Sequence, residues 1–225
     1  MRNQGVLEIN QLNKDFYKKH AESFSNSRDM NFWKGFEVCK MFITSTTSVL
    51  DLGCGNARFL QFLKSQNISF KSYLGVDSEE SFISENKVKY PDGNFQTQDI
   101  LEFENFHNIN PKDFVAVFGV THHVPEKKYR LTWFENLEKL VNKDGYLILS
   151  FWNFDKEKST DFVPKFYKIE EEDYFLGWKQ DFSVLRYCHY FNKEELKQII
   201  LTISKFNLIE EFEADHNFYL IFKKN

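Results

Sequence analysis

Glycine, proline and cysteine are scarce in this sequence, and their scarcity excludes several classes of protein. The 225 residues include 9 glycines, 4 prolines and 3 cysteines, whereas phenylalanine (26) and tyrosine (10) are abundant. Such a composition argues against a disordered or fibrous chain and favours a packed α/β protein. The length suffices for one domain with a full core and is too short for two large ones. We therefore expect a single domain over residues 1–225.

The three cysteines, Cys39, Cys54 and Cys188, lie far apart and are odd in number. None belongs to a Cys-x-x-Cys pair, so the sequence argues against disulfides and against a structural zinc site. We expect buried thiols and no bound metal.

The sequence also lacks a long apolar run and an excess of positive charge. No segment approaches the length of a membrane span, and the first 20 residues lack the apolar core of a signal peptide. We therefore expect a cytoplasmic protein that does not bind membranes. The formal net charge of -4 gives no overall attraction for nucleic acid, although it leaves room for a local basic patch.

The most informative segment runs from Val49 to Leu60. An apolar strand ending in Asp51 leads into a turn with Gly53 and Gly55, and the periodicity of a helix begins at about Asn56. The glycines allow a tight turn and close approach of a ligand to the backbone. The Asp51 carboxylate disfavours a pyrophosphate and favours an ammonium or sulfonium ligand. Alone the turn is a moderate signal, because Gly-x-Gly also occurs in plain strand-to-helix turns.

After this turn, predicted strands and helices alternate, which is typical of a parallel, doubly wound sheet. The end of the chain instead predicts an antiparallel hairpin. The first 45 or so residues are expected to form a helical cap, and residues 153–190, which show little periodicity, a substrate-side insertion. The predicted strands are 71–76, one ending near 98, 114–119, 146–152, 206–213 and 217–222, and the main predicted helices are 56–66, 79–88 and 126–142.

Two further acids end neighbouring strands. Asp77 follows the glycine turn by about 25 residues, where a carboxylate can accept hydrogen bonds from both hydroxyls of a ribose. Asp99 is placed to bind an adenine amino group, with Ile100 against the ring. Either acid could instead be a helix cap or a turn residue. Ligands bind at the carboxyl ends of such strands, so three acids at successive strand ends favour a nucleoside site.

Together these residues resemble the class I S-adenosylmethionine-dependent methyltransferases, and the resemblance spans nearly the whole chain. It implies a Rossmann-like seven-stranded sheet and S-adenosylmethionine as cofactor. By this resemblance Asp51, Gly53 and Gly55 hold the methionine part, Asp77 the ribose and Asp99 the adenine. The cofactor site would be completed by Cys54, Ser78, Ile100, Phe118 and Gly119. Ala57 stands where many members carry a third glycine, and we expect this small residue to be tolerated.

A narrower resemblance is to the tRNA wobble-uridine carboxymethyl methyltransferases, which esterify a carboxymethyl group on U34 of tRNA. It rests on Phe16-Tyr17-x-x-x-Ala21-x-x-Phe24-Ser25-x-x-Arg28, Val120-Thr121-His122-His123, Ser150-Phe151-Trp152 and Arg186-Tyr187-Cys188-His189-Tyr190-Phe191-x-x-x-Glu195-Leu196. Cys188 departs from the family's Arg-Tyr-Tyr-His, and Trp33 lies one residue further from Arg28 than expected. The resemblance implies tRNA as the acceptor and, for eukaryotic members, a small zinc-ribbon activator subunit.

The candidate catalytic residues follow from the chemistry of such an acceptor. A carboxylate has a pKa of about 4, so methyl transfer to it needs alignment more than a general base. Arginine binds a carboxylate bidentately, which makes Arg186 and Arg28 candidates for this alignment. Tyr187 and His189 are candidates for stacking on or hydrogen-bonding the base, and His122 for lining the site beneath the methyl donor. Arg186 could instead form a surface salt bridge.

Two alternatives remain open from the sequence: a methyltransferase acting on a small molecule, and a non-catalytic subunit with the same fold. Net acidity favours the first, and the intact acids and glycines argue against the second. Glu170–Asp173 is expected to be a solvated acidic turn. Binding of tRNA would require basic residues to cluster at the cleft mouth. The candidate basic residues are Lys127, Lys128, Arg130, Lys165, Lys168, Lys179 and Arg186.

Overall fold

A computed structural model describes residues 3–27 and 32–225, and its centre is a seven-stranded sheet in the order β3-β2-β1-β4-β5-β9-β8. Strands β1 to β5 run parallel, and β9 lies antiparallel between β5 and β8. The predicted doubly wound sheet with an antiparallel C-terminal hairpin is confirmed. The strands are β1 (Ser48–Leu52), β2 (Ser72–Asp77), β3 (Asn94–Thr97), β4 (Lys112–Val117), β5 (Val141–Trp152), β6 (Asp173–Trp178), β7 (Asp181–His189), β8 (Phe206–Ala214) and β9 (Asn217–Lys224).

Helices cover both faces of the sheet, because its central strands are apolar on both sides. In β1, Leu50 packs in one apolar cluster and Val49 in another, and in β4 Val115 and Phe114 divide in the same way. The helices are α1 (Gln4–Asn26), α2 (Lys34–Cys39), α3 (Arg58–Ser65), α4 (Glu80–Lys89), α5 (Lys127–Asn136) and α6 (Lys193–Thr202). In the described part of the chain, no helix combines the length and apolar character that a membrane span requires.

Two predicted helix boundaries were wrong. The helix predicted at 126–142 ends at Asn136, is followed by a 3-10 turn, and gives way to β5 at Val141. The apolar residues up to Val141 have a spacing that also fits a helix. Val141 instead pairs with Lys112 of β4, so it belongs to the strand. Helix α3 begins at Arg58 because Ala57 has φ +57°, a left-handed conformation that does not continue into a helix.

The segment 153–190 contains a hairpin that its weak periodicity did not predict. Strands β6 and β7 form a separate two-stranded antiparallel sheet. Helix α1 packs along β7, where the Asn13 side chain accepts a hydrogen bond from Tyr187 N (2.9 Å) and lies 3.4 Å from the His123 carbonyl oxygen, to which it donates. Polar residues of β7 occupy buried positions, where they are paired inside the protein. The sequence of this strand therefore does not show the usual alternation of apolar and polar residues.

Candidate functional site

A cavity of about 450 Å³ lies at the carboxyl ends of the parallel strands. Helix α1, strand β7 and the turn between β8 and β9 also contribute to its wall. All ten residues predicted for the cofactor site line it: Asp51, Gly53, Cys54, Gly55, Asp77, Ser78, Asp99, Ile100, Phe118 and Gly119. Their shared position follows from topology, since the carboxyl ends of parallel strands meet at one edge of the sheet.

The glycine turn is shaped for close approach of a ligand. Gly53 has φ +85°, and a Cβ added there would lie 2.1 Å from Val120 Cγ2. Gly55 has φ +48°, and an added Cβ would meet nothing within 4 Å. The first glycine is therefore required by packing and the second leaves the backbone open to the cavity, as the methionine part of S-adenosylmethionine would need.

Asp77 ties this turn to the end of β2. One carboxylate oxygen accepts from Gly55 N (2.8 Å) and the other from Glu79 N (2.9 Å). Burial raises the pKa of Asp77, and these two hydrogen bonds act against that shift. Each oxygen keeps the capacity to accept a further hydrogen bond, which a ribose hydroxyl could supply.

Asp51 is a buried acid with no cationic partner among the residues that the structure describes. It is 2% exposed and accepts a hydrogen bond from Tyr73 Oη (2.6 Å). Burial raises the pKa of Asp51 to about 7, the Tyr73 hydrogen bond lowers it and the charge of Asp77 raises it further. A site of this kind favours a bound cation, because a positive charge would relieve the cost of ionising the carboxyl group. Sequence reasoning missed Tyr73.

Asp99 joins the third strand end to helix α1. It accepts a hydrogen bond from Leu101 N (3.0 Å) and forms an ion pair with Lys14 Nζ (2.7 Å). Ile100, the next residue, reaches the turn, with its Cδ1 3.0 Å from the position of a Cβ on Gly53. Lys14 was not among the predicted site residues.

Arg186 lies in the opposite wall of the cavity and is 6% exposed. Its guanidinium carbon lies 4.8 Å from the Trp152 ring centroid and 5.0 Å from that of Phe16. Among the described residues, Arg186 Nε has no hydrogen-bond partner and no carboxylate is within ion-pair distance. Arg186 is therefore buried and forms no surface salt bridge with any described residue, which was the alternative that the sequence left open. A buried guanidinium without an anion favours an anionic ligand.

Two histidines line the cavity beside Arg186. The His122 ring lies 5.3 Å from that of Trp152 and 4.1 Å from that of His123. Burial, aided by the charge of Arg186, lowers the pKa of His123 to about 3, so its ring is neutral. His123 Nδ1–H then donates to the Tyr187 carbonyl (2.8 Å), and Nε2 accepts from Tyr17 Oη (2.8 Å).

The structure contradicts the hypothesis that Tyr187 and His189 contact the acceptor base. Both are buried outside the cavity wall, because alternate residues of β7 point to opposite faces and Arg186 takes the cavity side. The Tyr187 hydroxyl donates to Asp173, and the His189 ring nitrogens lie 2.9 Å from Asp173 and 2.9 Å from Glu195. The remaining catalytic candidate, Arg28, lies outside the described residues.

The acidic turn at Glu170–Asp173 is not simply solvated. Asp173 is 8% exposed and accepts hydrogen bonds from the hydroxyls of Tyr167 and Tyr187. Burial acts to raise the pKa of Asp173, but the hydrogen bonds from His189, Tyr187, Tyr167 and Glu170 N outweigh it and lower that pKa. The expectation of a solvated turn is therefore wrong for Asp173.

The predicted basic cluster is also largely absent from the cavity. Arg130 is 3% exposed and lies 3.4 Å from Glu170 and 3.6 Å from Glu195. Of the seven candidate basic residues, only Arg186 lines the cavity. Three cations that sequence reasoning did not select do line the cavity: Lys14, Arg58 and Lys158.

One group of metal-ligating atoms, from His122, His123 and Cys188, lies beside the cavity. Both ring nitrogens of His123 are already engaged by Tyr17 and Tyr187. Burial raises the pKa of the Cys188 thiol to about 12, which disfavours the thiolate that a metal would need. In this structure the two ring nitrogens of His123 therefore serve as hydrogen-bonding partners within the protein.

Comparison with known proteins agrees with this geometry. The family model described as a methyltransferase domain matches residues 37–203. The chain is 24% identical to the tRNA (carboxymethyluridine(34)-5-O)-methyltransferase of Schizosaccharomyces pombe, over 93% of this chain and 94% of that protein. It is 30% identical to the carboxy-S-adenosyl-L-methionine synthase of Campylobacter jejuni, over 60% of each.

Among solved structures, the Burkholderia thailandensis 1,6-didemethyltoxoflavin-N1-methyltransferase, bound to 1,6-didemethyltoxoflavin and S-adenosylhomocysteine, superimposes with a TM-score of 0.67. The two chains are 12% identical, and the match covers 100% of this chain and 92% of that one. The fold, the strand-end acids and the family match lead to one conclusion: this chain belongs to the class I S-adenosylmethionine-dependent methyltransferases.

Proposed function

We propose that this enzyme transfers a methyl group to a carboxylate and forms a methyl ester, with the carboxymethyl group of the wobble uridine of tRNA as acceptor. The observation that carries the proposal is Arg186, a buried guanidinium in the cavity wall without an anionic partner among the described residues. The tRNA part is supported by the S. pombe relative, whose name states that reaction and whose length the match almost fully covers.

We propose that the cofactor lies along the strand-end acids. Bound S-adenosylmethionine supplies a methyl group on a positively charged sulfonium. Asp51 and the glycine turn would hold its methionine part, Asp77 its ribose and Asp99 its adenine, with Ile100 against the ring. The raised pKa of buried Asp51 supports this orientation, since an ammonium group is the partner that such a carboxylate lacks.

Arg186 would orient the acceptor. Its planar guanidinium can hold both carboxylate oxygens, and the rings of Trp152 and Phe16 restrict its rotation. An acceptor oxygen held by Arg186 would form a bond to the methyl carbon as the carbon–sulfur bond breaks; S-adenosylhomocysteine would leave, and no proton would be transferred. Because a negative and a positive charge neutralise each other in this step, an aromatic wall that excludes water favours it.

The proposal is tested with an anticodon stem-loop that carries 5-carboxymethyluridine, assayed by mass spectrometry of the ester with and without a zinc-ribbon activator subunit. Arg186→Lys keeps the charge but loses the two-point contact, so kcat/KM should fall by about 100-fold while S-adenosylmethionine affinity stays within about twofold. Lys143→Ala, which removes an exposed cation far from the cavity wall, is the control and should leave both unchanged. Equal turnover of the corresponding 5-carbamoylmethyl acceptor would contradict esterification.

A second candidate function is methylation of a small-molecule carboxylate. It is favoured by the absence of the predicted basic cluster from the cavity wall, where Arg186 alone of the seven candidates lies. Turnover of small carboxylates without turnover of the stem-loop, in the presence of the activator, would favour this candidate. Arg186→Lys would then have the same effect on the small acceptor, so the two candidates are distinguished by substrate and not by the variant.

A further inference from the structure

Asn10 has an unsatisfied amide in the wall of the cavity. Its side chain is 3% exposed, yet within the described residues neither Nδ2 nor Oδ1 has a hydrogen-bond partner. Burying an amide without partners is costly, and most buried polar groups are paired. Because Asn10 lines the cavity, a ligand there can supply both missing hydrogen bonds.

The contacts of α1 locate Asn10 relative to the strand-end acids. Val6, one turn earlier, packs in the same apolar cluster as Ile100 and Leu101. Lys14, one turn later, pairs with Asp99 Oδ2 at 2.7 Å. Residues four apart lie on the same face of a helix, so Asn10 lies on the face that carries Lys14, and it lines the same cavity as Asp99–Leu101.

Helix α1 is held firmly at this position. Asn13, on a neighbouring part of the helix surface, uses its amide to accept from Tyr187 N and to donate to the His123 carbonyl. Its amide is therefore occupied by the protein, whereas that of Asn10 remains available. A helix held in this way keeps the Asn10 backbone at a defined position in the cavity wall, which limits the ordering cost of binding to the side chain itself.

We propose that Asn10 recognises the adenine of the cofactor: Oδ1 accepts from the exocyclic amino group, and Nδ2 donates to the adjacent ring nitrogen. The inference rests on the proposed placement of adenine at Asp99. An adenine edge presents a donor beside an acceptor, and a primary amide is complementary to that pair. The Asp99 carboxylate offers acceptors only, and the nearby Leu101 N–H is already donated to Asp99 Oδ1. Asn10 adds a side-chain donor beside these acceptors.

The test compares Asn10→Leu, which keeps the size of the side chain but removes the amide, with Gln11→Leu, which removes an exposed amide from the next position of α1. Calorimetry would measure binding of S-adenosylhomocysteine and of its analogue without the exocyclic amino group. Asn10→Leu should weaken S-adenosylhomocysteine binding by about 10- to 30-fold, as expected for two lost hydrogen bonds, and Gln11→Leu by less than about twofold. For the analogue, the loss caused by Asn10→Leu should fall to about fivefold or less.

An equal loss of affinity for the two ligands would overturn the proposal, because the effect would then not involve the amino group. Unchanged affinity for both would also overturn it, and a raised KM for the methyl acceptor would then place Asn10 at the acceptor. Asn10→Ala is a second variant for the case in which leucine does not fit, and its folding is checked by thermal unfolding. The binding measurements do not depend on the acceptor being a carboxylate or a tRNA, so failure here is separate from failure of the proposed function.

Discussion

Two regions of this enzyme bury acidic side chains, and they do so with opposite electrostatic results. At the strand ends, burial raises the pKa of Asp51 to about 7 and also raises the pKa of Asp77. In the hairpin region, burial is outweighed by hydrogen bonds from the protein, and the pKa values of Asp173 and Glu195 are lowered. Asp51 is 2% exposed, whereas the Glu195 side chain is 19% exposed, so the depth of burial and the donors and charges around each acid both contribute to the difference.

The difference distinguishes a binding site from a structural network. Asp173 and Glu195 are joined by His189, and Arg130 lies 3.6 Å from Glu195, so their charges are compensated within the protein. Asp51 has one neutral donor, Tyr73. Acids whose ionisation the protein leaves uncompensated are candidates for binding a cation, whereas compensated acids hold elements together.

Removal of Asp173 should produce the largest effect in this comparison. Asp173→Ala leaves the hydroxyls of Tyr167 and Tyr187 and the His189 ring without their shared acceptor. The free energy of unfolding, measured by denaturant titration, should fall by about 3–5 kcal/mol. Asp161→Ala, an exposed acid in the same segment, is the control and should change it by less than about 0.5 kcal/mol. A loss below about 1 kcal/mol for Asp173→Ala would mean that this network is not structural.

Asp51→Asn should act in the opposite direction on stability while impairing binding. The pKa of Asp51 is higher in the folded than in the unfolded state, so its contribution to stability declines as pH rises from about 4 to 7. Above pH 7 asparagine avoids this cost, and the ligand-free protein should gain about 1–3 kcal/mol. Calorimetry should show S-adenosylmethionine affinity weakened by about 10-fold or more, through loss of the charged acceptor. Destabilisation at pH 8 together with intact affinity would contradict both assignments.

The pH dependence of cofactor binding tests the same assignment of Asp51, and the expected effect is smaller. Below pH 7 the Asp51 carboxyl is mostly neutral and does not attract an ammonium group. Affinity for S-adenosylmethionine should therefore rise by about three- to fivefold between about pH 6 and pH 7, below the range in which an α-amino group titrates. The Asp51→Asn variant should show no such rise. An identical pH profile for the two proteins would assign the titration to another group.

Ala57→Gly should have the smallest effect. At φ +57° glycine removes about 1–2 kcal/mol of left-handed strain. This gain is offset by loss of a buried methyl group, about 0.8 kcal/mol, and by a more flexible unfolded chain, about 0.4–1 kcal/mol. The net change in unfolding free energy should lie within about 1 kcal/mol. Asn67→Gly, at an exposed position with φ +54°, is the control without methyl burial. A larger loss would show that Ala57 packing, and not its conformation, matters most.

The cavity wall formed by the strand ends was predictable from the sequence because short-range rules determine it. The turn from Asp51 to Ala57 is carried by consecutive residues whose backbone conformations are limited by sterics. Asp77 and Asp99 then follow from the alternation of strands and helices, since parallel strands place their carboxyl ends together. The C-terminal hairpin was predictable for the same reason, from two runs of strand-forming residues on either side of a short turn.

The cavity wall that carries Arg186 was decided by contacts between residues far apart in the chain. Asn13 and Tyr187 are 174 residues apart, and their hydrogen bond helps to fix which face of β7 meets α1. With β7 packed in this way, Arg186 lies at the cavity, whereas Tyr187 and His189 lie in the Asp173 network. The sequence by itself thus determined the fold class, the glycine turn and the strand-end acids. Only the tertiary structure decided the positions of Asn10 and Lys14 in the cavity wall and the face that β7 turns to it, because a strand's residue pattern does not state which of its two faces a distant helix will cover.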